Sequence, residues 1–188
     1  CPASVALQDP QRLSVNIYMA EGTLAHTLAE YLLRTGRIPD THAVGTTHVV
    51  DGLAVDVTPQ MHEHIEYYAS YVHEHINPAA GDMLLAEVRV PLPYSPKEHG
   101  TSDVLGYRVA DRTLVVIDLK YGQGVTEVAE GNWQLIIYAL GAYDEWAALL
   151  DVEAVEYHIA QPRKYSMTME RITVAELREY RTRVLAAA

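Results

Sequence analysis

Leucines recur at every fourth position from Leu24 through Leu28 to Leu32, the spacing of one helical face. They predict a helix over residues 14–35, with Ser14 as its cap and Gly36 where the chain leaves it. Turn formers at Pro39, Asp40, Gly45 and Gly52 then break the pattern, and residues 48–50 and 53–55 read as a short hairpin. At Thr58-Pro59 a good cap precedes a proline suited to the first helical turn. A second helix is expected from there to about Ile76, ahead of Pro78.

From Met83 the period changes from helical to extended. Residues 83–90 read as a strand, followed by a proline-rich turn at Pro91, Pro93 and Pro96. Residues 102–109 form a second strand, and the short link Ala110-Asp111-Arg112 makes a hairpin with residues 114–119. That last run is nearly all apolar, as a strand buried on both faces must be. Asn132 caps a predicted helix from Trp133 to Leu150, residues 152–160 alternate like a strand, and a final helix covers residues 174–185. From residue 58 the order is α-β-β-β-α-β, then α. The expected architecture is one α/β domain with a helical part over 1–80, a core over 81–160 and a closing helix over 174–188. The chain shows no internal repeat.

Composition changes this picture little. The chain has 188 residues, 49% of them hydrophobic and 21% charged, enough for one domain with a sizeable core. Phe is absent and Tyr occurs 13 times, so tyrosine must supply most aromatic packing. A formal net charge of −11 argues against a coat protein that grips nucleic acid non-specifically. It leaves room for a nuclease, because carboxylates that hold divalent cations are themselves negative. No apolar stretch reaches the roughly 18 residues of a membrane span. No charged-then-apolar segment opens the sequence, so a cytoplasmic location is expected. The single cysteine, Cys1, rules out a disulfide within the chain and a cysteine-only zinc site.

Three stretches carry chemistry: Gly100-Thr-Ser-Asp103, Val116-Ile-Asp118-Leu-Lys120 and Gln134-Leu-Ile-Ile-Tyr138. Asp103 and Asp118 lie at opposite ends, in sequence, of the predicted hairpin, so antiparallel pairing brings both carboxylates to one end of the sheet. Asp118 and Lys120 are two apart on a strand and share a face. An acid and a lysine at the end of a buried strand are costly unless they serve metal or substrate. Gln134 and Tyr138 are four apart and share a helix face. Taken singly, Asp103 reads as a turn former, Asp118 and Lys120 as a solvated strand end, and the Gln–Tyr pair as surface. Together, in this order, they supply what phosphodiester hydrolysis needs: hard oxygen ligands for a divalent cation and a positive group beside the phosphate. His62, His64, His73 and His75 read as a solvated helix face, since residues two apart on a helix diverge. His99 and His158 read as structural.

These motifs resemble the PD-(D/E)XK nuclease superfamily, in its RecB-like branch with lambda exonuclease and the CRISPR adaptation nucleases. The sequence is similar above all to phage-encoded proteins of that branch, which open with CPxS and EGTxAH segments. Here these are Cys1-Pro2-Ala3-Ser4 and Glu21-Gly22-Thr23-Leu24-Ala25-His26. The resemblance covers residues 1 to about 160 and implies a restriction-endonuclease-like αβββαβ core with a mixed central sheet. It implies that His26, Asp103, Asp118 and the Leu119 carbonyl hold Mg²⁺ or Mn²⁺. Lys120 would act on the attacking water and the phosphate, with Gln134 and Tyr138 supporting the site and the DNA. Glu87 matches a less constant acid of the superfamily and is either an outer ligand or a strand-surface residue.

The expected function is therefore a metal-dependent deoxyribonuclease, exonucleolytic, in phage recombination or DNA processing. DNA is the expected partner, no membrane is, and a homo-oligomer is compatible with the resemblance. The alternatives are a catalytically silent DNA-binding module and an assembly protein whose acids merely bind metal. Several relatives hold an iron–sulfur cluster with one cysteine near the start and three near the C-terminus. With Cys1 alone this chain cannot ligate a cluster by itself, and Cys1 would be an orphaned first ligand if the sequence is part of a longer protein.

Overall fold

A computed structural model describes residues 17–187. Its first helix, α1 (Ile17–Thr35), buries Leu24, Leu28 and the alanines around them. The proposed Ser14 cap lies outside the described residues. The hairpin is present as β1 (Thr47–Val50) and β2 (Leu53–Asp56). Helix α2 (Pro59–His75) begins as the sequence predicts: Thr58 caps it, accepting a hydrogen bond from the Met61 amide, with Pro59 in the first turn.

The centre is a five-stranded mixed sheet of β3 (Met83–Leu92), β4 (Ser95–Arg108), β5 (Thr113–Leu119), β6 (Ala154–Gln161) and β7 (Ser166–Thr173), in spatial order. All neighbours are antiparallel except β5 and β6, which are parallel and joined by the crossover helix α3 (Trp133–Trp146). The chain closes with α4 (Val174–Ala187). The order α2-β3-β4-β5-α3-β6 is the expected αβββαβ core, in an α/β fold with helices on both sides of a mixed sheet.

Alternation along β5 splits the apolar residues between two cores. Val115, Ile117 and Leu119 pack with α1 and α2, while Leu114 and Val116 pack with α3 and α4. Gly141 lets α3 lie directly on β3, since an added Cβ would stand 2.0 Å from the Pro91 carbonyl oxygen. No described helix is long and apolar enough to cross a membrane.

The structure departs from the sequence pattern in four places. The proline-rich turn is shorter than expected: β3 runs through Pro91, and β4 starts at Ser95, well before residue 102. Proline is tolerated because β3 is an edge strand with no ladder partner on one side. Helix α3 ends at Trp146, not Leu150. The amides of Leu149 and Leu150 both bond back to the Trp146 carbonyl, tightening the chain into a turn. Strand β6 is buried along its whole length rather than alternating. It is a central strand covered on both faces, and its polar side chains Glu156, His158 and Gln161 all bond to other segments through at least one atom. Finally, β7 was not expected. It is a largely polar edge strand with little apolar alternation to announce it.

Candidate functional site

The site forms where α1 on one face of the sheet and α3 on the other reach the C-terminal end of β5. The register pairs Val104 with Ile117, which sets Asp103 of β4 beside the end of β5. Asp103 Oδ2 accepts the Leu119 amide at 2.6 Å, so a backbone bond fixes one acid against the strand that carries the other. On its other side β4 pairs Val104 with Ala86 and Ser102 with Val88, leaving Glu87 of β3 across from Asp103.

Glu87 has a left-handed backbone, φ +52°, inside a strand. That conformation costs a non-glycine residue about 1–2 kcal/mol and concentrates at functional positions. Arg34 of α1 donates to the Ala86 carbonyl at 2.8 Å, bracing the segment. His26, midway along α1, places Nδ1 3.2 Å from Asp103 Oδ1 and 3.8 Å from Glu87 Oε1. One ligand atom each from His26, Glu87 and Asp103 lies within 4.8 Å of the others, close enough to share one cation. Glu87, left open from sequence, belongs to this group and is no plain surface residue.

Asp118 stands beside the group rather than within it. Its Oδ1 accepts the Gln134 side-chain amide at 3.0 Å, and Oδ2 lies 3.0 Å from Lys120 Nζ. Lys120 Nζ also donates to Gln134 Oε1 at 3.1 Å. Asp118, Lys120 and Gln134 thus form a closed triangle, with Gln134 supplied by the first turn of α3, which Asn132 caps. Leu119 lines the same cleft, an open depression of about 800 Å³ shared by His26, Asp103, Asp118 and Lys120. Tyr138 does not line it. Its ring lies on Gly100, where an added Cβ would be 2.3 Å from the ring. It therefore shapes the strand leading to Asp103.

The electrostatics follow from crowding acids in a partly dry place. Burial, then repulsion from Asp103, raises the Asp118 carboxyl to about 6, against the pull of Lys120. Burial alone would lower the His26 pKa, but hydrogen bonds to Asp103 and Glu87 outweigh it and push it up to about 10. Lys120 is also lowered by burial and raised more by Asp118, so it stays charged. In the metal-free chain, imidazolium and ammonium are therefore the cations that hold these carboxylates together. A cation at the same place would take over that task from His26, whose ring must be neutral to ligate.

Tyr68 of α2 escaped sequence reading. It is fully buried, and its hydroxyl finds no hydrogen-bond partner among the described residues. Burial raises its pKa well above the usual value, and Asp103, Asp118 and Glu87 raise it further, so a neutral phenol lies beneath the acids. Only its place in the helix repeat, which reads as core, announced it. Gln161 was also missed. Buried at the end of β6, it donates to the Glu127 carbonyl at 2.8 Å and accepts the Glu127 amide, holding the loop that follows Lys120.

Two helix histidines are not the solvated residues expected. His64 Nδ1 lies 3.3 Å from the Tyr121 hydroxyl, and the His75 ring meets that of His158 at 4.5 Å. His73 is exposed as expected, and His62, half-buried, lies beside Glu66.

The donors suit a divalent cation. They are an imidazole and hard carboxylate oxygens at ligand spacing, next to two buried oxygens, Asp118 Oδ2 and the Tyr68 hydroxyl, that lack a well-formed hydrogen bond. A family profile described as "Protein of unknown function (DUF2800)" matches residues 1–188, so the chain belongs to that family.

Proposed function

We propose that this DUF2800 chain is a Mg²⁺- or Mn²⁺-dependent nuclease that hydrolyses DNA phosphodiester bonds in the cytoplasm. The observation that carries the reading is the convergence of His26, Glu87 and Asp103 at metal-ligand spacing beside the Asp118–Lys120–Gln134 triangle. Two separate chemistries, cation holding and charge stabilisation, meet in one open cleft.

His26, Glu87, Asp103 and Asp118 would hold the cation, which when bound polarises a phosphate oxygen and lowers the pKa of water. Asp118, whose Oδ2 faces the Lys120 ammonium at 3.0 Å, would complete this ligand set, and Lys120 would meet the charge that develops on the phosphate. Gln134 holds Asp118 through one amide atom and Lys120 through the other, so it sets the distance between ligand and ammonium. Tyr68 walls the acids from below with a group that stays neutral. The chain's negative charge opposes DNA at long range, so binding is expected to depend on the cation as well as on Lys120.

The test is cleavage of end-labelled single- and double-stranded DNA with Mn²⁺, Mg²⁺ or EDTA. Cation-dependent product from the wild type, lost in Lys120→Ala and Asp118→Asn, supports the assignment. No product under any condition leaves a silent binding module, and wild-type cleavage by Lys120→Ala overturns the assignment of this site.

A further inference from the structure

On the α2 face of the sheet, level with Val115 and Ile117, lies a second group of ligand-type side chains. His75 ends α2, and Glu156 and His158 sit two apart on one face of β6. One ligand atom from each lies within 4.8 Å of the others. His158 is fully buried. Its Nδ1 is 2.8 Å from the Tyr71 hydroxyl, while Nε2 makes no hydrogen bond among the described residues and faces Glu156 Oε2 at 3.7 Å. A buried ring nitrogen pointed at a carboxylate oxygen, too far for a hydrogen bond, is costly with nothing between them.

We propose that His75, Glu156 and His158 form a Zn²⁺ site, distinct from the cleft. As a ligand, His158 would donate Nδ1–H to the Tyr71 hydroxyl and turn the Nε2 lone pair toward Glu156, the tautomer metal binding needs. Arg108 donates to both Glu156 oxygens and Arg171 to Oε1, and Asp111 bonds both arginines, so two guanidiniums face two carboxylates. The cation thus enters a formally neutral surround, and the arginines orient the ligating carboxylate as outer partners do. Zinc bonds of ~2.0–2.1 Å need the three ligand atoms closer together than they stand. His75, half-exposed at the end of its helix, supplies that movement and the entry route. Two imidazoles in three donors favour Zn²⁺ over the Mg²⁺ that the oxygen-rich cleft suits. The bound ion would pin the end of α2 to β6.

The test uses the full chain with the cleft disabled, His26→Ala/Asp118→Asn, titrated with Zn²⁺ and with Co²⁺ as a spectroscopic probe. One equivalent should bind, with the intense visible bands of a four-coordinate Co²⁺ site. Adding His75→Ala should weaken binding on the order of 100-fold or more, and adding Tyr71→Phe about 10-fold, the range for losing an outer-shell partner. Circular dichroism identifies any variant that fails to fold, and His75→Ala carries the test because that ring is half-exposed. No Co²⁺ binding by the cleft variant, or unchanged affinity in His75→Ala, overturns the proposal. Absence of DNA cleavage bears on the cleft alone.

Discussion

The two ends of the β4–β5–β6 strands hold the same residue types and treat them in opposite ways. At one end, Arg108 grips both Asp111 and Glu156, Arg171 joins them, and both acids are held below their usual pKa. At the other, Asp118 is driven up to about 6 because burial and Asp103 outweigh one lysine. A buried acid matched with guanidiniums becomes costly only when a partner is removed, whereas acids crowded against each other already cost stability and point to a site where a cation binds. The comparison separates a charge-balanced surround from an unbalanced one without appeal to the motif.

Breaking the balanced end should have the largest effect on folding. Arg108→Ala leaves Glu156, 5% exposed, short of its main partner and should cost up to about 3–5 kcal/mol in denaturant melts. If that variant melts like wild type, the network is not structural. Breaking the crowded end should instead cost rate. Lys120→Ala should lower cleavage by about 10²–10³-fold while Mn²⁺ still binds in calorimetry.

Asp118→Asn sharpens the contrast further. It should abolish cleavage and weaken Mn²⁺ binding. Yet without metal at pH 7 it should raise stability by roughly 1–3 kcal/mol, because it removes a carboxylate whose pKa the fold raises from 3.8 to about 6. A lower metal-free melting temperature for this variant would contradict the crowding argument.

The pH dependence of melting should show both signs. Asp111 falls from 3.8 to about 2 in the fold and Glu156 is lowered too, so their contribution is present above the unfolded values and lost as pH drops toward 2. Asp118 acts the other way: metal-free stability should decline as pH rises from about 4 through 6. Only the second arm should vanish in Asp118→Asn. The smallest effect is expected at Tyr138. Its ring packs on Gly100 outside the cleft, so Tyr138→Phe should change cleavage by less than about 10-fold and stability by under about 1 kcal/mol.

Much of this was legible in the chain itself. The leucine repeat of α1, the Thr58-Pro59 start of α2 and the apolar run of β5 are local signals, and local signals of that strength survive folding. So was the meeting of Asp103 with the end of β5, because a short link holds the hairpin close to one register. Edge strand β7 stayed hidden because its apolar residues, Met167, Met169 and Ile172, keep no strict alternation among polar neighbours. The polar residues of β6 suggested alternation because a sequence does not reveal which buried charge has a partner.

What the sequence determined by itself is the set of elements and the side chains that β4, β5 and α3 must bring to one end of the sheet, since these follow from period, capping and short links. Only the tertiary structure decided that Glu87 turns inward through a left-handed backbone, that Tyr68 lies under the acids, and that His75 meets Glu156 and His158. Each of those depends on packing between elements far apart in sequence. There the energy of an ionisable group is set by neighbours that no local pattern encodes.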